Sequence, residues 1–398
     1  MNEHFFNTVS SADPQEQKRM AYIEGRGDLY ETKILRITPI DETEKTKNLL
    51  VSTRDPGSGN ALLPVLKELA GDKELHIDVA TDGRAQEIIQ ANFETTDSTP
   101  KGNIGALAAD TIMNTPQVIL MDRSTEMGID TYVTATFPEV PKILVQDSYT
   151  NTIPFLLELI QRKLPLPEKI CVMDDAAKDM IVKKFPQLEQ TIEVTGQPAF
   201  DRFTQENTEQ LAHEVKKKLG LQPTDRLVSF MSTMDEPEKI EKMAEALKGI
   251  ANNFYFAFRR HPRDNVSYET YKKILTNAGI RTLDTDEFST NDIGAASDVV
   301  LTTWSTEGLH GIYRRKPTVH ITDRNFRVPE GIELPLPPVT SGASVGLENV
   351  ADIAQILPQL LDEHSALNKK LQEGMADHYP ADGKNAERVA HIVRQYLP

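Results

Sequence analysis

Five short segments, in four groups, gather the side chains that bind anions or move protons, and each follows a run of apolar residues. Arg54-Asp55-Pro56-Gly57-Ser58-Gly59-Asn60 comes first. Its glycines would let backbone N–H groups at a helix start approach an anion, and Arg54 would add a charge-assisted contact. The spacing is neither a Walker loop nor a full Gly-x-Gly-x-x-Gly, so an ordinary turn ahead of a helix is the competing reading. Asp122-Arg123-Ser124-Thr125-Glu126 and Gln146-Asp147-Ser148 form the second group. A carboxylate at a strand end can act as a general base or bind a hydroxyl, which makes Asp122 and Asp147 candidate bases; helix capping is the plainer role for both.

Phe258-Arg259-Arg260-His261-Pro262-Arg263 is the third. Guanidinium groups and an imidazole on a rigid strand end, stiffened by proline, suit a phosphate or diphosphate, with His261 also a candidate for proton transfer. A solvated basic loop is the alternative. The fourth, Thr302-Thr303-Trp304-Ser305-Thr306-Glu307-Gly308-Leu309-His310-Gly311, opens a helix with Ser305 or Thr306 as N-cap. Hydroxyls and free first-turn N–H groups make an anion site, and Glu307 or His310 could reach ribose hydroxyls. An ordinary capped helix would look the same. His76, His320 and His391 lack the paired spacing of a metal site, and none is expected. There is no Gly-x-Ser-x-Gly elbow, and Cys171, the single cysteine, reads as core.

The elements that must position these segments are βα units. From Lys47 onward, short aliphatic runs alternate with longer amphipathic stretches, the pattern of a mainly parallel sheet. Strands are expected at Asn48–Thr53, Leu75–Thr81, Gln117–Met121, Lys142–Gln146, Lys169–Met173 and Ile192–Thr195. After a charged helix over Gln205–Leu219, Leu221-Gln222-Pro223-Thr224-Asp225 reads as a joint, and the alternation restarts at Leu227–Met231, Phe254–Phe258, Val299–Thr302 and Thr318–Ile321. Two helices, Val350–Leu361 and Asn385–Leu397, would close the chain. The expected division is a polar extension without a reading over residues 1–45, an α/β domain over 46–204, a second over 205–380, and a C-terminal helix at 381–398 that could cross back to the first domain. In open parallel sheets ligands sit outside the carboxyl ends of the strands, so with two such sheets the expected site is a cleft between them.

Composition narrows the classes. The chain has 398 residues, 44 Lys+Arg against 60 Asp+Glu and a net charge of −16, which argues against non-specific nucleic-acid or anionic-membrane binding. Hydrophobic residues at 39% and charged residues at 26% are globular values. One cysteine rules out an intramolecular disulfide framework, and no apolar run approaches about 18 residues, so a soluble cytoplasmic protein without a transmembrane segment is expected. From Arg259 to Arg327 there are 11 Lys/Arg against 9 Asp/Glu, so the acid excess lies outside that stretch.

Taken together, these segments resemble the GT-B superfamily, the glycosyltransferases built of two Rossmann-like domains, and within it the non-hydrolysing UDP-N-acetylglucosamine 2-epimerases most of all. Ser52-Thr53-Arg54-Asp55-Pro56, followed by Leu62-Leu63-Pro64-Val65, is similar to the epimerases' opening Gly-Thr-Arg-Pro-Glu and the helix after it. Val194-Thr195-Gly196-Gln197-Pro198-Ala199-Phe200-Asp201 is similar to their Val-Thr-Gly-Asn-x-x-x-Asp segment. Arg260-His261-Pro262 resembles the His-Pro element of the epimerases and of glycerophosphate polymerases. Arg327-Val328-Pro329-Glu330-Gly331 resembles an Arg-Pro-Glu-Gly segment of the sugar-nucleotide site, and Asp382-Gly383-Lys384-Asn385-Ala386 a common ending. The chain departs from the epimerases at Met121-Asp122-Arg123, at Val145-Gln146-Asp147-Ser148 and at Ser305-Thr306-Glu307, with His310 where a ribose-binding Glu is expected.

The resemblance implies two Rossmann-like α/β domains facing across a cleft, and a metal-independent glycosyltransferase using a nucleotide-activated donor, most simply a UDP-sugar, with no further cofactor. Arg54, Arg259, Arg260, His261, Ser305, Thr306, Glu307, His310, Arg327 and Glu330 would bind the nucleotide and its diphosphate. Gly57, Ser58, Gly59 and Asn60 would line the acceptor side, with Asp122, Asp147 and His261 as catalytic candidates. The acceptor is unspecified, nucleic acid is not expected as a partner, and a homodimer is compatible with the sequence. A 2-epimerase that eliminates and re-adds UDP, and a degenerate GT-B protein that binds a nucleotide or a partner, are the alternatives.

Overall fold

The computed structural model describes residues 32–37, 47–81, 83–98, 116–123, 128–149, 151–261, 264–323, 326, 334–379 and 381–398. The chain divides into two compact units. One runs to Asp201 and takes in Lys384–Pro398; the other is Arg202–Gly383.

In the first unit the described strands are β1 (Lys33–Ile37), β2 (Lys47–Thr53), β3 (Leu75–Thr81), β4 (Thr95–Asp97), β5 (Val118–Asp122), β6 (Lys142–Val145), β7 (Lys169–Val172) and β8 (Ile192–Val194). They form one sheet in the order β4-β1-β3-β2-β5-β6-β7-β8. All neighbours from β3 to β8 are parallel, while β1 runs antiparallel to β3 and β4. Alternate strand residues feed two cores. Leu49, Val51, Ile77, Val79, Val118, Leu120, Ile143 and Val145 pack with the helix Pro56–Ala70 and the C-terminal helix Asn385–Gln395. Leu50, Ala80, Ile119, Met121, Leu144, Ile170 and Val172 pack on the other face with the helices Ile129–Thr136, Thr152–Arg162 and Asp175–Lys184. Near-continuous apolar strands with helices on both faces are what a doubly wound parallel sheet requires.

The second unit holds β9 (Leu227–Met231), β10 (Tyr255–Arg259), β11 (Val299–Thr302), β12 (Thr318–Ile321) and β13 (Val345–Leu347), parallel throughout, in the order β10-β9-β11-β12-β13. Its core includes an aromatic stack, Phe230 on Phe258 at 5.7 Å and Phe258 on Tyr271 at 4.6 Å between ring centroids.

Several elements differ from the sequence reading. Lys33–Ile37, inside the stretch read as a polar extension, is a sheet strand whose partners lie far along the chain; five residues carry too little periodicity to show it. Leu221–Asp225 lies inside the second unit, where the Asp225 carboxylate accepts the Gln222 N–H at 2.7 Å to make a turn before β9. The charged helix ahead of it, Thr208–Lys218, is anchored by buried Val215 and the Lys216 to Asp298 ion pair at 2.8 Å. Three helices rather than two close the chain, because Ala366–His378 forms between Ile353–Leu361 and Asn385–Gln395. Leu371 and Met375 are its buried apolar anchors, too sparse to announce a helix.

Candidate functional site

In each sheet the chain reverses its direction of winding between two strands, and in doubly wound sheets ligands are bound outside the strand ends at such a switch point. In the first unit β2 is followed by β3 on one side and β5 on the other. The carboxyl ends of β2, β5 and β6 carry Asp55, Asp122 and Asp147. Asp122 is 1% exposed; its Oδ1 accepts the Arg123 N–H at 2.5 Å and its Oδ2 is buried without a hydrogen-bond partner. Burial, then the charge of Asp147, with smaller contributions from Asp130 and Asp55, raises Asp122 well above the carboxylate range. Asp147 is half-buried, with Oδ1 accepting from Asn151 Nδ2 at 3.0 Å. Burial pushes it up to about 6, assisted by Asp55 and opposed by hydrogen bonds from Ser148 and Asn151. Asp122 and Asp147 thus stand at the ends of adjacent strands, each with its affinity for a proton raised by burial.

The loop after β2 meets this pair through one residue. A Cβ on Gly57 would stand 2.6 Å from Asp147 Oδ2, so the carboxylate occupies the space that glycine leaves. Its neighbours are spent on the scaffold. Ser58 is buried with its hydroxyl 2.6 Å from that of Thr53, and a Cβ on Gly59 would come within 3.2 Å of Ala85 in the next helix. Asn60 is exposed, and the Arg54 carbonyl accepts the Ala85 N–H at 3.0 Å. Arg123 is buried and pairs with Asp130 at 3.0 Å and Glu158 at 2.9 Å, over the Phe155 ring. Ser124, Thr125 and Glu126 lie outside the described residues.

The motif at residues 194–201 meets the start of the C-terminal helix, from Lys384 onward, within the first unit. The Asp201 carboxylate accepts the N–H groups of Asn385 at 3.0 Å and Ala386 at 2.8 Å, capping the C-terminal helix. Arg388 Nε donates to the Thr195 carbonyl at 2.7 Å. Gly196 has φ of 81°, and a Cβ there would overlap the Asn385 side chain.

In the second unit the switch point lies between β9 and β11. Thr233 after β9 and Thr303 after β11 join hydroxyls across it. Asp235, which sequence reasoning missed, is fully buried: Oδ2 accepts from Ser232 Oγ at 3.2 Å and the Thr233 N–H at 3.1 Å, while Oδ1 has no partner. Tyr271 Oη lies 2.9 Å from Asp264 Oδ2 and 3.0 Å from the Asp235 carbonyl. At the end of β10, Arg259 donates to the Thr285 carbonyl at 2.6 Å, with its Nε buried and unpartnered. Arg260 donates to the carbonyls of Asp264 at 2.5 Å and Val266 at 3.0 Å, shaping the loop that carries half-buried His261. After β11, Ser305 Oγ accepts the Glu307 N–H at 3.2 Å, whereas Thr306 makes no side-chain cap. Glu307 and His310 pair at 3.0 Å; burial pushes Glu307 upward, but His310, Arg202 and Arg314 hold it below its ordinary range. The helix start is crowded, since a Cβ on Gly308 would stand 2.5 Å from His320 Nε2. Arg327 and Glu330 lie outside the described residues. Among the described residues no group of three or more His, Cys, Asp or Glu side chains is placed to hold a metal ion, and no helix is long and apolar enough to cross a membrane.

Two doubly wound α/β units with polar and acidic groups at both switch points define the glycosyltransferase-type GT-B class of enzyme. The chain belongs to the CDP-glycerol:poly(glycerophosphate) glycerophosphotransferase family, whose model matches residues 158–395. Solved structures agree on the fold. A UDP-N-acetylglucosamine 2-epimerase from Neisseria meningitidis bound to UDP-GlcNAc matches with a TM-score of 0.61 at 15% identity, over 88% of this chain and 100% of that one. A glycosyltransferase from Rickettsia africae matches at 0.57 and 13% identity, over 88% and 98% of the two chains. The wall teichoic acid polymerase TagF matches at 0.54 and 11% identity, over 96% and 93%. No curated protein sequence matches the chain significantly.

Proposed function

We propose that this enzyme transfers a glycerophosphoryl group from a CDP-glycerol-type donor to a hydroxyl acceptor, with Asp147 as general base. Family membership supports the donor class. The observation that carries the reading is the placing of Asp122 and Asp147 at the ends of adjacent strands, with Asp147, at about 6, ionised at neutral pH and Asp122 raised well above its ordinary value by burial and by the Asp147 charge. Asp147 takes the acceptor hydroxyl proton as that oxygen attacks the donor's β-phosphorus. The bond from that phosphorus to the bridging oxygen breaks, and CMP leaves with the electron pair. His261, Arg259 and the Ser305 and Thr306 hydroxyls are the groups assigned to the donor phosphates, whose growing charge they would offset. Glu307 and His310 are assigned to the ribose. A nucleotide-activated donor supports a cytoplasmic reaction.

A second reading, a nucleotide-sugar 2-epimerase, draws on the same pair, because abstraction and return of a sugar C2 proton needs two acids at one site. Calorimetry with CDP-glycerol, CDP, UDP and UDP-GlcNAc separates the two. Binding of CDP-glycerol with CMP release on adding a polyol phosphate acceptor is expected. Preference for UDP-GlcNAc would return the donor to the UDP-sugar expected from the sequence, and deuterium uptake at its C2 would establish the epimerase. Binding of none of the four would sink both enzyme readings.

A further inference from the structure

The Asp147 carboxylate is held at its backbone by a side chain from another part of the chain. Gln197 is 2% exposed, and its Nε2 donates both hydrogens, to the carbonyls of Gln146 and Asp147, each at 3.1 Å. Its Oε1 accepts the Ala199 N–H at 3.1 Å, and its own carbonyl accepts Asn385 Nδ2 at 3.1 Å. Every polar atom of this side chain is thus committed, and two of its bonds fix the last turn of backbone before the Asp147 side chain. The Gln146 side chain ties the same point to the next strand, its Oε1 accepting the Met173 N–H at 3.2 Å. Asn385 sits in the C-terminal helix, whose first turn is gripped by Asp201 and whose Arg388 grips Thr195.

We propose that Gln197 is a positioning residue for Asp147, and that the first turn of the C-terminal helix, acting through Asn385, holds Gln197 in register. The proposal rests on the reading of Asp147 as the base. Asp147 Oδ2 lies over Gly57 and its Oδ1 accepts from Asn151, so a displacement of the 146–147 backbone moves the carboxylate away from both. A glutamine reaching two successive carbonyls at a strand exit restrains that backbone in a way one turn of loop does not. The helix thereby has a role in the chemistry besides its share of the apolar core.

The test follows the Asp147 carboxyl itself. The full chain is labelled with 13C at aspartate side chains, the Asp147 resonance is identified by its loss in Asp147→Asn, and its titration is compared in Gln197→Met and Asn385→Ala. Beside Asp147 stand Asp55, which raises it, and Asn151 and Ser148, whose hydrogen bonds lower it, while Asp147 in turn raises Asp122; none is altered. In Gln197→Met the freed loop admits water, and the midpoint is expected to fall by roughly one pH unit or more toward the ordinary carboxylate range. Asn385→Ala should shift it in the same direction by less, and it decides the matter should Gln197→Met fail to fold. A lowered melting temperature with an unmoved Asp147 titration would make Gln197 a packing residue only and overturn the proposal. The titration is read without turnover, so an Asp147→Asn enzyme that keeps full transfer activity overturns the base reading alone.

Discussion

Asp147 Oδ2 stands 2.6 Å from where residue 57 would carry a Cβ, so the carboxylate and the glycine occupy one space between them. The helix Pro56–Ala70 begins at that point, with Gly57 exposed in its first turn. The finding gives this glycine a steric reason to be there, distinct from the anion-binding loop that its neighbours suggest.

Gly57→Ala is therefore expected to displace Asp147 while leaving the core in place. Moving the far end of one side chain costs little stability, whereas loss of alignment of a base costs on the order of a hundredfold in rate. Urea unfolding and kcat/KM with the donor found by calorimetry check the two effects, and an unchanged rate would separate Gly57 from the chemistry.

The rate should rise with pH through about 6 as Asp147 loses its proton, since only the carboxylate accepts one. Stability should move the other way. The folded state holds the Asp147 proton more tightly than the unfolded state does, so stability is lost as pH rises from the ordinary carboxylate value of 3.8 to about 6. Asp147→Asn should then be slower by about 10² to 10⁴, yet more stable above pH 6 by up to about 3 kcal/mol. Thermal unfolding across pH 4 to 8 reads the sign.

His320 in the second unit predicts the opposite slope. Burial lowers it to about 4, with Nδ1 placed 2.9 Å from Ser344 Oγ. Below pH 6.5 the unfolded chain takes up a proton that the folded chain refuses, so stability falls between 6.5 and about 4 by about 3 kcal/mol. His320→Gln should flatten that limb of the thermal unfolding profile. A limb as steep as before would assign acid sensitivity elsewhere.

Glu206 and Arg314 are joined by two hydrogen bonds, at 2.6 Å and 2.7 Å, with the Arg314 side chain fully buried over the Phe203 ring. Removing the acid alone leaves a buried cation without its partner, which costs about 3 to 5 kcal/mol. Glu206→Ala should show that loss in denaturant unfolding, and Glu206→Gln, which keeps an oxygen for Arg314, a smaller one.

The alternation of aliphatic runs carries the fold into the sequence because each strand buries both faces and each helix one, so period alone marks them. The same logic fails at Lys33–Ile37 and Ala366–His378, where few apolar positions are available and distant partners supply the stability. Asp122 and Asp147 were legible as acids at strand ends. Arg260 and Ser58 were read for their chemical type as much as for their place, and the structure spends both on internal bonds. Gln197 carried a signal, as one letter of a motif, but nothing in its neighbours said what it touches.

The sequence by itself determined which functional groups stand at the strand ends and that two α/β units carry them. Only the tertiary structure decided which of those groups are free to act. A proton affinity or an open hydrogen bond depends on burial and on neighbours in space, and Gln197 meets Gln146 across 51 positions of chain, a distance that local pattern does not span.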